Sequence, residues 1–314
     1  LLWMFRRKDV FVAYNGYDVV DGRIVVSQAP EATGKGACKA MGVNYDDCVR
    51  LAAAQAAAKI GDVLIAAPHT QQTGMGRSFP RCPDDGIIEE IDVQERMREE
   101  FWYEEMYDGE IRAYAVHGSP ARAVAHGVLE LADRKPDLCV SGINYGENLG
   151  TCLTCSGTMG ALFEASSYGI PGIAVSVEAD LSRQHSEDFG KRDWSAAQSI
   201  LERYIRQVLE KGMSGKSNSD ETTIVTADAW NINVPNGLQF PYPERRTVLS
   251  RQNYFYFVKP EKRNRSQPYR LKSEKIVNIE SLERDSDIYA VYVERVASVT
   301  LLNFDITARP RKMY

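Results

Sequence analysis

The densest run of ligand-type residues is Ser141-Gly142-Ile143-Asn144-Tyr145-Gly146-Glu147-Asn148-Leu149-Gly150, with Cys155-Ser156-Gly157-Thr158 close behind it. Asn144 and Asn148 offer neutral amide oxygens, hard donors suited to Mg²⁺ or Mn²⁺. Ser156-Gly157-Thr158 reads as a helix start, where backbone N–H groups and two hydroxyls make an anion site. A second polar run, His69-Thr70-Gln71-Gln72-Thr73-Gly74, adds hydroxyls, amides and an imidazole.

Both runs follow short apolar segments, 62–67 and 137–141, which read as buried parallel strands. In open α/β sheets, ligands bind beyond the carboxyl ends of such strands. Helices are expected over 48–59, 119–132 (Ser119 as cap, Pro120 in the first turn), 158–168 and 194–209. Further strands are expected over 172–177 and 229–234. This alternation predicts an α/β fold, a Rossmann-like, mostly parallel sheet with helices on both faces. Residues 213–222 read as a polar loop, and 245–284 as a projecting C-terminal hairpin or arm carrying Tyr254-Phe255-Tyr256-Phe257-Val258. Alternation over 287–306 closes the sheet. The chain thus divides into a divergent segment 1–45, an α/β domain 46–309 and a tail 310–314.

The composition sets outer limits. With 38 Lys+Arg against 43 Asp+Glu in 314 residues, the net charge of −5 argues against a nucleic-acid polymer as general partner. No apolar run approaches the roughly 18–20 residues of a membrane span. The apolar Leu1–Phe5 precedes Arg6-Arg7-Lys8, the reverse of a signal peptide's order, so a cytoplasmic protein is expected. Six cysteines are too sparse for a disulfide scaffold.

On these motifs the chain resembles the SurE family of survival-protein nucleotidases. Val140–Gly150 with Ser156-Gly157-Thr158 is similar to the family's signature, and Ala67–Gly74 to its second metal-site loop. Gly118-Ser119-Pro120-Ala121, Asn231-Ile232-Asn233-Val234-Pro235, Asp287-Ile288-Tyr289-Ala290 and Asp305-Ile306-Thr307-Ala308 follow in family order. The resemblance implies a metal-dependent phosphomonoesterase acting on nucleoside monophosphates, with Mg²⁺ or Mn²⁺ activating the attacking water. It places Thr73 and Asn144 as metal ligands, and Asn148, Ser156, Gly157 and Thr158 around the phosphate. It also implies a homodimer or homotetramer joined through extended C-terminal segments, which a strictly monomeric species in sedimentation would refute.

One departure is large: the family opens with a strand and Asn-Asp-Asp-Gly, a tetrapeptide absent here. Asp46-Asp47, just before the 48–59 helix and expected on the same sheet edge as Thr73, rank first as its catalytic and metal-binding replacement. Asn15-Gly16-Tyr17-Asp18, after the apolar 10–13 run, ranks second, and Asp84-Asp85, with no strand before them, last. The competing reading is that Asp46-Asp47 only cap a helix. Arg122-Ala123 stands where the family shows Asp-Cys, which offers either a cation to phosphate or a solvated helix arginine.

The remaining signals are weaker. Cys152-Leu153-Thr154-Cys155 lacks nearby partners for a zinc site and reads as a tight loop. Gly34-Lys35-Gly36 is no phosphate loop, and no Gly-x-Gly-x-x-Gly supports a dinucleotide. His69 could protonate a leaving alkoxide or simply tie down its loop; His117, His126 and His185 are scattered. Two alternatives stand beside the enzyme: a member that kept the fold as a binding or interaction protein without catalysis, and a metal-free nucleotide-binding module.

Overall fold

The computed structural model of the chain describes residues 9–13, 18–20, 23–25, 45–70, 72–91, 110–179, 193–212, 214–216, 224–269 and 271–305. In chain order the strands are β1 (Asp9–Ala13), β2 (Asp18–Val20), β3 (Arg23–Val25), β4 (Asp62–Pro68), β5 (Ile88–Glu90), β6 (Ile111–Val116), β7 (Leu138–Tyr145) and β8 (Gly172–Val177). They continue with β9 (Ser214–Lys216), β10 (Ile224–Thr226), β11 (Ala229–Val234), β12 (Glu244–Thr247), β13 (Phe255–Phe257), β14 (Ser273–Lys275) and β15 (Ala297–Leu302). The α-helices are α1 (Tyr45–Ala58), α2 (Pro120–His126), α3 (Gly157–Ser167) and α4 (Ser195–Lys211).

Nine strands make one sheet in the order β12-β15-β11-β8-β7-β1-β4-β6-β5. The run from β11 to β6 is parallel throughout. Beyond this run, β15 is antiparallel to β11 and β5 to β6, while the outermost β12 is parallel to β15. The strand periodicity of two divides the core cleanly. Val63, Ile65 and Ala67 face one apolar cluster with α1 and α4, while Leu64 and Ala66 face the other with α2 and α3. Helix α4 supplies Ala196, Ala197, Ile200, Leu201, Tyr204, Ile205 and Val208 from one stripe, the pattern of an amphipathic helix on a sheet. The expected α/β architecture, with helices on both faces, is therefore the observed one. Among the described residues no helix is long and apolar enough to cross a membrane.

Several local expectations are corrected. The apolar 10–13 run lies in β1, in the middle of the sheet between β4 and β7. Helix α1 begins at Tyr45, so Asp46 and Asp47 lie in its first turn rather than before it. The predicted 119–132 helix is α2 followed by a π-type turn over Gly127–Leu131. Within 213–222 lies β9, which pairs with β10 in a hairpin. Residues 244–247 belong to the main sheet, so the projecting part reduces to the β13–β14 hairpin. Residues 289–294 form a π-type helical turn, leaving only 297–302 as the closing strand. Asp305 ends the described chain, so the rest of the 305–308 motif and the tail lie outside it.

Candidate active site at the switch point of the sheet

The chain fills the sheet in one direction from β1 through β4 and β6, then returns to the other side of β1 with β7, β8 and β11. Crevices for ligands open where strand order reverses, beyond the carboxyl ends of the two strands concerned. Here those strands are β1 and β7. Ala13, the last residue of β1, pairs with Ala66 of β4 on one side and Ser141 of β7 on the other. The expected loop from Gly142 onward is in part strand, because β7 runs on to Tyr145. Opposite β8, the register passes from Ser141–Ala174 to Asn144–Ser176, so two residues of β7 face the single Val175. This bulge shifts the side-chain alternation of β7 just before Asn144. Gly142 permits it: a Cβ there would lie 2.2 Å from the Val175 carbonyl oxygen, at a φ of +122°. The Asn144 amide nitrogen donates to the Gly146 carbonyl, which defines the amide oxygen as the acceptor end.

The Thr73 loop is brought to the start of α3 by backbone contact. Gly76 N–H donates to the Cys155 carbonyl at 3.1 Å, immediately before α3. On α3 itself, Gly160 leaves room for the Gly76 carbonyl, which a Cβ would approach to 1.9 Å. Arg77 then pairs with buried Glu164, one turn further along α3, at 2.8 Å. Thr73 is exposed at the tip of this loop. We expect Gly160→Ala to cost about 1–3 kcal/mol, the usual penalty of overpacking a fixed backbone. It should also displace the Thr73 loop, so chemical denaturation and turnover should fall together; an unchanged unfolding midpoint would contradict this packing.

Ser156 caps α3 by accepting a hydrogen bond from Met159 N–H at 3.2 Å. No acidic residue occupies the first turn, so the positive end of the helix dipole is not neutralised there. Gly157 and Thr158 thus open a helix terminus of the kind that can accept an anion, with Thr158 buried.

Asn148 is buried in a polar network. Its N–H donates to Asn233 Oδ1 at 2.7 Å, its carbonyl accepts from Asn231 Nδ2 at 2.9 Å, and its own Nδ2 donates to Ser176 Oγ at 2.8 Å. Asn231 and Asn233 are two apart on β11, so both rise from the same face. Two residues on, Gly150 N–H donates to Asp287 Oδ2 at 2.8 Å, while Asp287 Oδ1 accepts from Ser250 N–H and Ile288 N–H at 2.9 Å each. Asp287 is fully buried, and burial pushes its carboxyl up to about 6 although these N–H donors pull it down. A carboxyl raised by folding contributes stability that is full at acid pH and lost as pH rises through about 6. The penalty of Asp287→Asn should therefore be largest in acid and shrink across that range; a penalty that grows with pH would refute it.

A family model described as "Survival protein SurE" matches residues 42–255. The "5'-nucleotidase SurE" of Methanocella arvoryzae is 33% identical over 264 residues, covering 82% of this chain and 88% of the relative. The chain belongs to the SurE family. A second relative of the same name, from Thermococcus kodakarensis, is 33% identical over 267 residues, covering 84% and 90%. The crystal structure of a SurE protein from Aquifex aeolicus shares the fold at a TM-score of 0.60 and 20% identity, over 95% of this chain and 94% of that one.

Within this SurE-family frame the expected site residues separate. Asn144, the Thr73 loop and the Ser156–Thr158 terminus share the carboxyl edge of the sheet. Asn148 is enclosed by Asn231, Asn233 and Ser176, whose role in gripping its loop was not foreseen from sequence. Asp46 and Asp47 lie at the start of α1, which connects β1 to β4, so the crossover begins on that same edge. Asn15 lies outside the described residues, and Asp18 opens β2. Asp84 and Asp85 sit elsewhere, on the far side of β4. Asp84 accepts from His117 Nδ1–H at 2.6 Å, which holds its carboxyl below the ordinary range. Arg122 reaches Asp85 at 3.2 Å and the Pro80 carbonyl at 2.9 Å; it pins that loop and is neither a solvated arginine nor a cation presented to the candidate phosphate position. Cys152 and Cys155 are free thiols in a 3-10 turn, and burial with the neighbouring Cys152 pushes the Cys155 thiol up, unlike a reactive cysteine.

One further group escaped sequence reasoning. Glu147, buried beside the Asn144 segment, accepts from Ala179 N–H at 2.8 Å and pairs with Lys275 of the hairpin at 2.9 Å. Lys275 also meets Glu178 at 3.2 Å and lies 4.7 Å above the Tyr254 ring. The hairpin is thereby fastened to the loop that follows Asn144.

Proposed function

We propose that the chain is a divalent-metal-dependent phosphomonoesterase acting on nucleoside monophosphates. The observation that supports this reading is that the Asn144 bulge, the Thr73 loop and the α3 terminus all lie on the carboxyl edge of the sheet, the last two in backbone contact, in a family whose curated relatives are named 5'-nucleotidase. The donor set fits the group: Asn144 and Thr73 offer oxygen atoms, as do Asp46 and Asp47, and Mg²⁺ and Mn²⁺ take such hard ligands.

A bound divalent ion would offset charge developing on the phosphoryl oxygens and favour deprotonation of the attacking water. Asn144 and Thr73 would hold the cation, and backbone N–H groups of Gly157 and Thr158 would orient the phosphate oxygens. Asp46 and Asp47 would complete the set of residues that hold the cation, and either carboxylate could accept a proton from the attacking water. The family match begins at residue 42 and so spans this pair but not Asn15 or Asp18. Asp46→Asn with Asp47→Asn should abolish turnover, whereas Asn15→Ala with Asp18→Asn should not; the reverse result would move the carboxylate site to the end of β1. Subunits pair through the β13–β14 hairpin, where Phe257 is 74% exposed.

The test is release of inorganic phosphate from nucleoside monophosphates with Mg²⁺ or Mn²⁺, with and without chelator. Release abolished by chelator supports the enzyme. No release with either metal would favour the fold-only binding protein, a reading that the named relatives do not favour.

A further inference from the structure

A second group of metal-type ligands stands on the other side of β4 from the switch point. Its geometry follows from strand register. β4 and β6 are parallel with Pro68 beside Val116, so the next residues, His69 and His117, emerge side by side. Their rings stack with centroids 4.0 Å apart. On the edge strand β5, Glu89 pairs with Ala115, two residues from His117, and therefore points to the same face. The three side chains meet there: His117 Nε2 lies 2.9 Å, and His69 Nε2 3.6 Å, from the same Glu89 oxygen. One ligand atom from each residue falls within 4.8 Å of the other two.

These separations suit a cation held between the three. Zinc bonds of about 2.0–2.1 Å at tetrahedral angles require ligand atoms about 3.3 Å apart, a value bracketed by the two observed edges. The orienting partner is also present. His117 Nδ1–H donates to Asp84 Oδ2 at 2.6 Å, and in the metal-free chain Nε2 shares a proton with Glu89 Oε1; a bound cation would take the place of that proton. A carboxylate behind a metal-binding histidine is the usual second contact of such a ligand. The backbone around it is fixed, with His69 N–H on the Val116 carbonyl and His117 N–H on the Ile87 carbonyl, both at 2.8 Å. His69 is 20% and His117 15% exposed, which leaves the ligand atoms shielded but reachable by water as a fourth ligand.

We propose that His69, Glu89 and His117 form a site for a borderline transition-metal ion of the Zn²⁺ class, with Asp84 orienting His117. Two imidazole nitrogens and a carboxylate select such an ion over Mg²⁺, so the site is chemically distinct from the oxygen-donor set at the switch point. When filled it clamps the edge strand β5 and the 82–87 loop onto the ends of β4 and β6. It does not depend on the nucleotidase reading, and stands if that reading fails.

The test is titration of the full-length, metal-stripped chain with Co²⁺, followed in the visible range. One equivalent should produce the intense absorption of a four-coordinate nitrogen-and-oxygen site, and Zn²⁺ but not Mg²⁺ should bleach it. The band should survive Asn144→Ala, vanish in Glu89→Gln and His117→Gln, and require about 10–100-fold more Co²⁺ in Asp84→Asn. Absence of the band in the natural chain, or its persistence in both ligand variants, would overturn the site. Should the variants fail to fold, ring resonances of the natural chain decide the question. Stoichiometric Zn²⁺ should move those of His69 and His117 and leave His126, which is paired with Glu130, in place. Equal or absent shifts in all three would reject the proposal.

Discussion

Replacing Asn144 with Ala is expected to reduce metal-dependent phosphate release by at least about a hundredfold. Loss of a group that merely supports a metal ligand costs 10–100-fold, and Asn144 is proposed as a ligand itself. The protein should remain folded, because Asn144 is only half-buried and its amide bonds locally, to the Gly146 carbonyl. Thermal unfolding and turnover therefore separate the two effects. A loss of turnover with an unchanged midpoint supports the site at the end of β7. Full turnover in Asn144→Ala would remove Asn144 from the machinery and with it the main reason for placing the cation at the switch point.

The second large effect is on stability. Lys275→Met would leave Glu147, whose side chain is 1% exposed, with a buried charge that keeps the Ala179 N–H but loses its cation. Removing one member of such a pair costs about 3–5 kcal/mol, because the remaining charge keeps its desolvation penalty without its partner. Lys275 itself is 17% exposed, so the lower end of that range is expected. At about 2–4 °C per kcal/mol for a domain of this size, the unfolding midpoint should fall by several degrees. Adding Glu147→Gln should recover part of the loss. A single variant as stable as the natural chain would show that the hairpin is not fastened to the site loop through this pair.

The fold was legible where each residue's surroundings follow from its neighbours in the chain. Apolar runs such as 62–67 and 172–177 are long enough to state a buried strand, and the Ala-rich 48–59 run states a helix. Ser119 with Pro120 marks a helix start by local capping chemistry, and the structure confirms that cap; the later helix starts one residue earlier than expected, at Gly157, capped by Ser156. Boundaries failed where the deciding contact was distant. Asp46-Asp47 were expected ahead of the helix, yet α1 takes them into its first turn. The 244–247 segment is too polar to announce a strand, and becomes one because β15 offers it a free edge.

The sequence by itself determined the parallel α/β class and the residue types of the candidate site, because burial periodicity, capping and the Asn-and-Gly run are local properties. Only the tertiary structure decided which residues meet. It put β1 beside β7, turned Asn144 through a bulge, and seated the Thr73 loop on Gly160. It also converted scattered histidines into a pair by aligning Pro68 with Val116. Such meetings depend on strand order and register between segments dozens of residues apart, which hydrogen bonding and packing across the sheet select and no local pattern encodes.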